Sequence, residues 1–172
     1  MAAALPARAE LDDALHAAIA AEAPRMMGLC TRMMGNEHDG ADVLQEAWLR
    51  AWRGRAAYRG EGPPAAWLRA IVVRECLRSL RWKAWRRWVP LDPDGVGPAS
   101  ETRPEGKLDA ARIRAAAARL PAQQRVAFNL RHEEGWTARE IALALEVSPE
   151  TVKTHLERAL SRVREAIGAP DG

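Results

Sequence analysis

A chain of 172 residues with 48% hydrophobic content is long enough for one ordinary domain or two small ones, and too apolar to be wholly disordered. Its 26 Lys+Arg and 23 Asp+Glu leave a formal net charge of only +3, so a polyanion partner would have to be recognised by where the charges sit. No apolar run approaches the ~18 residues that cross a bilayer, no signal-peptide pattern heads the chain, and Cys30 and Cys76 stand apart without metal-ligand spacing, which excludes a disulfide scaffold and a structural zinc site and fits a cytoplasmic protein.

Strand-favouring residues are scarce, with one Tyr, one Phe and little Val-Ile-Thr alternation. An all-α fold is expected. A first helix is predicted over Leu11–Ala21 and a second from Pro24 to about Met34, followed by a turn at Gly35-Asn36-Glu37-His38. Asp39 is the predicted cap of a helix over about 40–54, whose apolar face holds Val43, Leu44, Ala47, Trp48 and Ala51. After the breaker cluster Arg59-Gly60-Glu61-Gly62-Pro63-Pro64, a longer helix spans about 64–87, with Trp67, Leu68, Ile71, Val72 and Leu80 at helical spacing. Residues 90–107 are acidic and interrupted by Pro90, Pro93, Pro98 and Pro104. They predict a flexible linker that could reach on the order of 60 Å when extended. Helices resume over about 108–119, from Pro121 to about Arg131, and over 137–145 and 149–167. Two small helical domains, 1–89 and 108–172, joined by the linker 90–107, are the expected organisation.

The last two helices carry the sharpest local signal. Thr137 and Glu140 have capping-box spacing, and Ser148-Pro149 supplies an N-cap followed by proline at the first helical position. Ile141, Ala142, Leu145, Val147, Val152 and Leu156 would lock the two short helices together. This is helix-turn-helix logic, with the second helix entering a DNA major groove. Lys153, Thr154, Glu157 and Arg158 then fall on its exposed face. Lys153 and Arg158 suit guanine edges or phosphates, and Glu157 can accept from cytosine.

The charge is concentrated elsewhere. Residues 47–89 hold 11 basic and 2 acidic side chains, and six of the seven Trp lie in 48–88. Trp48, Trp52 and Trp67 lie on apolar faces and read as core. Trp82, Trp85 and Trp88 recur at i, i+3 and i+6, which fits a packing stripe as well as a surface where rings stack on unpaired bases among arginines. Tyr58 sits beside the breaker loop and is a candidate for such stacking.

Taken together, two stretches resemble a known family. Asp39–Arg53, Tyr58-Arg59-Gly60 and Ala66-Trp67-Leu68-Arg69-Ala70-Ile71 resemble region 2 of bacterial sigma factors. Leu120-Pro121, Arg125-Val126, Glu133–Ala142 and Thr151-Val152-Lys153 with Arg158-Ala159 resemble region 4. Their order around a linker matches the extracytoplasmic-function (ECF) class. The resemblance implies a transcription initiation factor with no enzymatic activity and no cofactor. By the same resemblance it would bind core RNA polymerase through Asp42, Gln45 and Glu46, and downstream promoter DNA, single-stranded when open, through Tyr58, Arg59, Arg74, Arg78 and Arg81. Lys153, Thr154, Glu157 and Arg158 would read the upstream element as duplex. Arg74 stands where the family usually has Asn. An anti-sigma factor is a further expected partner, and no membrane insertion is expected. The acidic linker, with Asp92, Asp94, Glu101 and Glu105, resembles the segment threaded through the polymerase.

No phosphate-binding loop, nucleophile or metal cluster appears in the sequence, and the four histidines are scattered. The alternative is a stand-alone LuxR-type helix-turn-helix regulator of duplex DNA. That class needs an N-terminal receiver or ligand domain, and residues 1–89 offer neither strands nor an acidic phosphoacceptor pocket.

Overall fold

The computed structural model describes residues 8–58, 62–86 and 108–168. Among these the secondary structure is helical throughout, without strands: α1 Arg8–Met34, α2 Glu37–Arg53, a 3-10 turn Arg55–Ala57, α3 Pro64–Arg86, α4 Leu108–Ala118, α5 Ala122–His132, α6 Ala138–Leu145 and α7 Pro149–Ile167. The all-α expectation holds. The chain divides into two compact units, Met1–Cys76 and Leu77–Gly172, the division falling inside α3. The linker expected over 90–107, Arg59 and Trp88 lie outside the described residues.

Two sequence expectations are corrected in the first unit. The helices predicted on either side of Pro24 are one continuous helix, α1, with Pro24 inside it. An internal proline forfeits a ladder hydrogen bond and crowds the preceding turn, at a cost of about 3 kcal/mol. The helix runs through because both flanks are anchored: Leu15 before the proline, and Met26, Leu29, Cys30 and Met33 after it, are buried. The second correction is the cap of α2. Asn36, not Asp39, is the N-cap; its side-chain oxygen accepts the Asp39 N–H at 2.8 Å, and its amide donates to the Asp39 carboxylate at 2.6 Å. Asp39 thus lies in the first turn, where its negative charge suits the helix dipole.

α2 packs along α1 at close range. A Cβ added at the buried Gly40 would sit 2.8 Å from the Thr31 backbone nitrogen. Only glycine lets the two backbones approach this far. Leu15 of α1, Ala51 of α2 and Leu68 of α3 form one apolar cluster, with Ile19, Trp48, Trp67 and Ile71 against it. The same two helices bring together the cysteine side chains, Cys30 of α1 and Cys76 of α3, with Sγ atoms 3.6 Å apart and both free. The Cys30 thiol beside it, together with burial, pushes the Cys76 thiol well above its ordinary range, so it stays protonated.

In the second unit α4, α5 and α6 all pack on α7. Ala116, Ala117, Leu120, Phe128, Ala159 and Val163 form its apolar core. Arg125 is buried, and its guanidinium donates to the Ala118 carbonyl at 2.9 Å, closing the end of α4. Both predicted caps are present. Thr137 and Glu140 make the reciprocal capping box at the start of α6. The Ser148 hydroxyl accepts the Thr151 N–H, with Pro149 opening α7. Between the helices Glu146 takes a left-handed conformation, φ 57°, and the Val147 N–H returns to the Ala142 carbonyl at 3.1 Å. That residue gives the helix-turn-helix its sharp bend.

Candidate nucleic-acid interface

The register of α7 separates its two faces. Val152, Ala159 and Val163 are buried against the unit's core, whereas Lys153, Thr154, Glu157 and Arg158 are all exposed. Four side chains predicted to read the upstream element therefore share one surface. The Lys153 ammonium lies 3.9 Å from the Glu150 carboxylate, and the Thr154 hydroxyl donates to the Glu150 carbonyl at 3.1 Å. Behind this face His155 is half-buried. Burial and the neighbouring Arg158 charge hold its imidazole below the ordinary value of 6.5. Its Nδ1 is buried without a hydrogen-bond partner, which favours the neutral ring.

On α3, Arg74, Arg78 and Arg81 are exposed at i, i+4 and i+7, so one helix face carries three guanidinium groups. Val72, Val73 and Cys76, together with Leu80, are buried. The same exposed stripe continues into Trp82 and Trp85. These are 56% and 55% exposed, with ring centroids 4.9 Å apart and planes inclined by 27°. The base-stacking alternative for these two rings is thus sterically open, while a fully buried packing role is not.

Tyr58 differs from its expectation as a loop aromatic presented for stacking. It is only 8% exposed. Its ring lies against Trp67, centroids 5.5 Å apart, and its hydroxyl donates to the Gly62 carbonyl. The physical reason is that a tyrosine with an apolar neighbour and a local carbonyl satisfies both ends of its side chain by folding inward. Tyr58 is thereby tied to Gly62, just ahead of α3.

The three residues expected at the polymerase surface divide as well. Asp42 and Gln45 are exposed on α2, with His38 3.7 Å from the Asp42 carboxylate. Glu46 is partly covered and pairs with Arg50 at 3.2 Å. Arg50 also holds Glu75 of α3, at 2.8 Å, and Glu75 is buried. Sequence reasoning missed this three-residue network. Its available signal was a lone carboxylate, Glu75, amid an apolar and arginine-rich helix. It likewise missed Arg55, which lies over the Trp52 ring at 4.4 Å and pairs with Asp12 at 2.9 Å.

Beside Asp42 and Gln45, α1 and α2 border an open apolar groove of about 440 Å³, lined among others by Met27, Leu44, Trp48, Leu49 and Trp52. Leu49 is exposed at its rim. An open apolar trough with His16 and Gln45 as its polar lining can seat the apolar face of a partner helix. Among the described residues no group of His, Cys, Asp or Glu is arranged to hold a metal ion, and no helix is long and apolar enough to cross a membrane.

Fold and interface together define an all-α protein in which a capped helix-turn-helix accompanies a helical bundle bearing a basic, aromatic face. Residues 18–86 match the family Sigma-70 region 2, and residues 110–163 match Sigma-70, region 4. SigL, an ECF RNA polymerase sigma factor of Mycobacterium tuberculosis, is 31% identical over 77% of this chain and 77% of its own length. The chain belongs to the ECF RNA polymerase sigma factor family.

Two further relatives from Mycobacterium tuberculosis are longer. SigM is 32% identical over 76% of this chain and 65% of its own length; SigG is 28% identical over 85% and 48%. The chain thus spans about half to two thirds of these curated relatives. Among solved structures, the sigma factor RpoE in complex with the anti-sigma factor NepR, from Bartonella quintana, superposes with a TM-score of 0.65 at 20% identity, covering 89% of this chain and 96% of RpoE. CnrH in complex with the cytosolic domain of CnrY gives 0.63 at 22%, covering 93% and 91%. These two likenesses speak for the fold. Both family regions in this order leave the LuxR-type alternative without support.

Proposed function

We propose that this chain is a cytoplasmic, non-enzymatic sigma factor that binds core RNA polymerase, directs it to specific promoters and helps open the DNA. The observation that carries this is the presence, in order, of both sigma-70 regions. Residues 1–89 form the docking and opening domain, 90–107 a tether, and 108–172 the upstream-reading domain.

Each face has a physical task. Asp42 and Gln45, beside the apolar groove, suit a basic-flanked helix of the polymerase, with Glu46 fixing the geometry of α2 through Arg50. The N-terminal half of α7 enters the major groove, where Lys153 and Arg158 donate to guanine edges or phosphates and Glu157 accepts from cytosine. Arg74, Arg78 and Arg81, with Arg59, hold the downstream element once its strands part. Such work needs no cofactor. It exchanges base stacking in DNA for contacts on protein, and the polymerase supplies the rest. A protein that covers the faces of α2, α3 and α7 would silence all three functions. An anti-sigma factor is therefore a proposed partner, as NepR is for RpoE.

The test is co-purification with bacterial core RNA polymerase, followed by run-off transcription on a library of genomic fragments. Stoichiometric association with new, specific start sites is expected. Tight sequence-specific binding to duplex DNA without any association with the polymerase would overturn the proposal.

A further inference from the structure

Two thiols in the first unit have no part in the docking or DNA faces. Cys30 of α1 and Cys76 of α3 are fully buried, and their Sγ atoms lie 3.6 Å apart although 46 residues separate them along the chain. The chain has two cysteines in all, so each has one possible partner within the molecule. α1 and α3 also meet where Leu15 and Leu68 share an apolar cluster and where Glu22 and Arg69 approach to 3.8 Å. The thiol contact lies farther along both helices than either of these. At the residue before Cys76, the Arg50–Glu75 ion pair ties α3 to α2. A buried cysteine that merely fills space acts as a small apolar side chain, and that role does not require two sulfurs to face each other.

We propose that Cys30 and Cys76 are an oxidisable dithiol, which a hydroperoxide converts to a disulfide that staples α1 to α3. The thiolate of one cysteine attacks a peroxide oxygen and the O–O bond breaks. The departing hydroxide takes up the proton that the thiol gave away, leaving a sulfenic acid and one water. The second sulfur then attacks the sulfenic sulfur, the S–O bond breaks, and the hydroxyl leaves with the second thiol's proton as another water. The two thiols lose two electrons and the peroxide gains them. From 3.6 Å, the sulfurs close by about 1.5 Å to reach the ~2.05 Å of the bond. The Cys30 thiol and burial keep Cys76 protonated, so the pair rests as thiols and reacts slowly. Burial also selects the oxidant, since hydrogen peroxide is small and uncharged whereas disulfide reagents are bulky. The bond closes a long loop, the case in which a cross-link most restricts the unfolded chain. It also fixes α3, whose exposed face carries Arg74, Arg78 and Arg81, against α1. The inference goes beyond the promoter reading and does not depend on it.

The test uses the full chain, reduced, freed of reductant and exposed to hydrogen peroxide while folded. Remaining thiols are blocked with N-ethylmaleimide under denaturing conditions, and the chain is cut with trypsin. A cross-linked pair of peptides, 26–32 with 75–78, is expected from chains that run as monomers on a non-reducing gel, and dithiothreitol should release it. The peroxide-treated parent is expected to unfold at a higher urea midpoint than the reduced parent. Cys30→Ala/Cys76→Ala is expected to keep one midpoint before and after treatment, which separates the bond from oxidation of methionine. If that variant does not fold, the peptide result on the parent decides alone.

The proposal is overturned if both peptides carry the maleimide after treatment of the folded parent. It is equally overturned if either cysteine proceeds to sulfinic acid without the cross-link, or if the cross-link joins two chains. A midpoint that does not rise in the cross-linked parent, or that rises as much in the double variant, would remove the staple.

Discussion

Glu46, placed by sequence on the docking side of α2, is tied by its carboxylate to Arg50, whose guanidinium also holds the buried Glu75. A charge reversal there acts on the fold as well as on any partner. Glu46→Lys sets an ammonium beside Arg50 and is expected to lower stability by about 1 kcal/mol, the upper end for a partly exposed pair. Gln45→Lys touches no such network and should leave stability within about 0.5 kcal/mol, yet place a positive charge on the groove lining. Reduced pull-down of core polymerase by Gln45→Lys, at an unchanged melting temperature, is the expected pairing. Undiminished pull-down would move the docking surface off this edge of α2. On α7, Arg158 is exposed and free of the ion pair that engages Lys153. Arg158→Ala should weaken upstream-element binding by about 1–3 kcal/mol if the side chain meets a base edge bidentately. A uniform, salt-dependent loss across sequences would make it a phosphate contact instead.

Helix by helix, the positions that matter most are those where backbones come close or turn sharply. Gly40 lies against the Thr31 backbone, and any Cβ there meets atoms that cannot rotate away. Gly→Ala inside a helix normally stabilises it by up to about 1 kcal/mol. Here the sign reverses: Gly40→Ala is expected to cost roughly 1–3 kcal/mol by forcing α1 and α2 apart, read as a fall in denaturant midpoint. Glu146 presents the opposite case. Its φ of 57° is strained for any residue with a Cβ, so Glu146→Gly should raise stability by about 0.5–1 kcal/mol. A loss on that substitution would mean that the side chain's own contacts outweigh the strain. These two sites also mark the limit of what could be read along the chain. The caps Thr137 and Ser148 were legible because a cap needs only residues three apart. The continuity of α1 through Pro24 was not, because local propensity ends a helix there and the packing that overrides it comes from Met26, Leu29 and Met33 against other elements. Tyr58 turned inward for the same reason, since Trp67 is brought to it only by the fold.

At the scale of the whole molecule, the order of the two helical regions and the basic character of residues 47–89 were plain from sequence, because charge and apolar periodicity sum over many residues and survive local errors. What stayed hidden was the set of contacts between distant positions, such as Arg50 with Glu75 and Cys30 with Cys76. The second unit adds a dependence on acidity that arises in the same way. His132 packs against Phe128, and burial with the Arg131 charge lowers its imidazole below 6.5 despite the opposing Glu133. His155, behind the exposed face of α7, is lowered by burial and Arg158. Both rings are therefore neutral in the fold at a pH where the unfolded chain already takes up protons. Their contribution to stability is complete above about pH 6.5 and is lost as the pH falls below it toward the folded values. Hydrogen exchange of the α5 and α7 amides in the full chain should quicken between pH 6.5 and 5.5, after correction for the intrinsic pH dependence of exchange. His132→Gln/His155→Gln should flatten that change. A slope that survives the double substitution would assign the acid sensitivity of α5 and α7 to groups other than these two imidazoles.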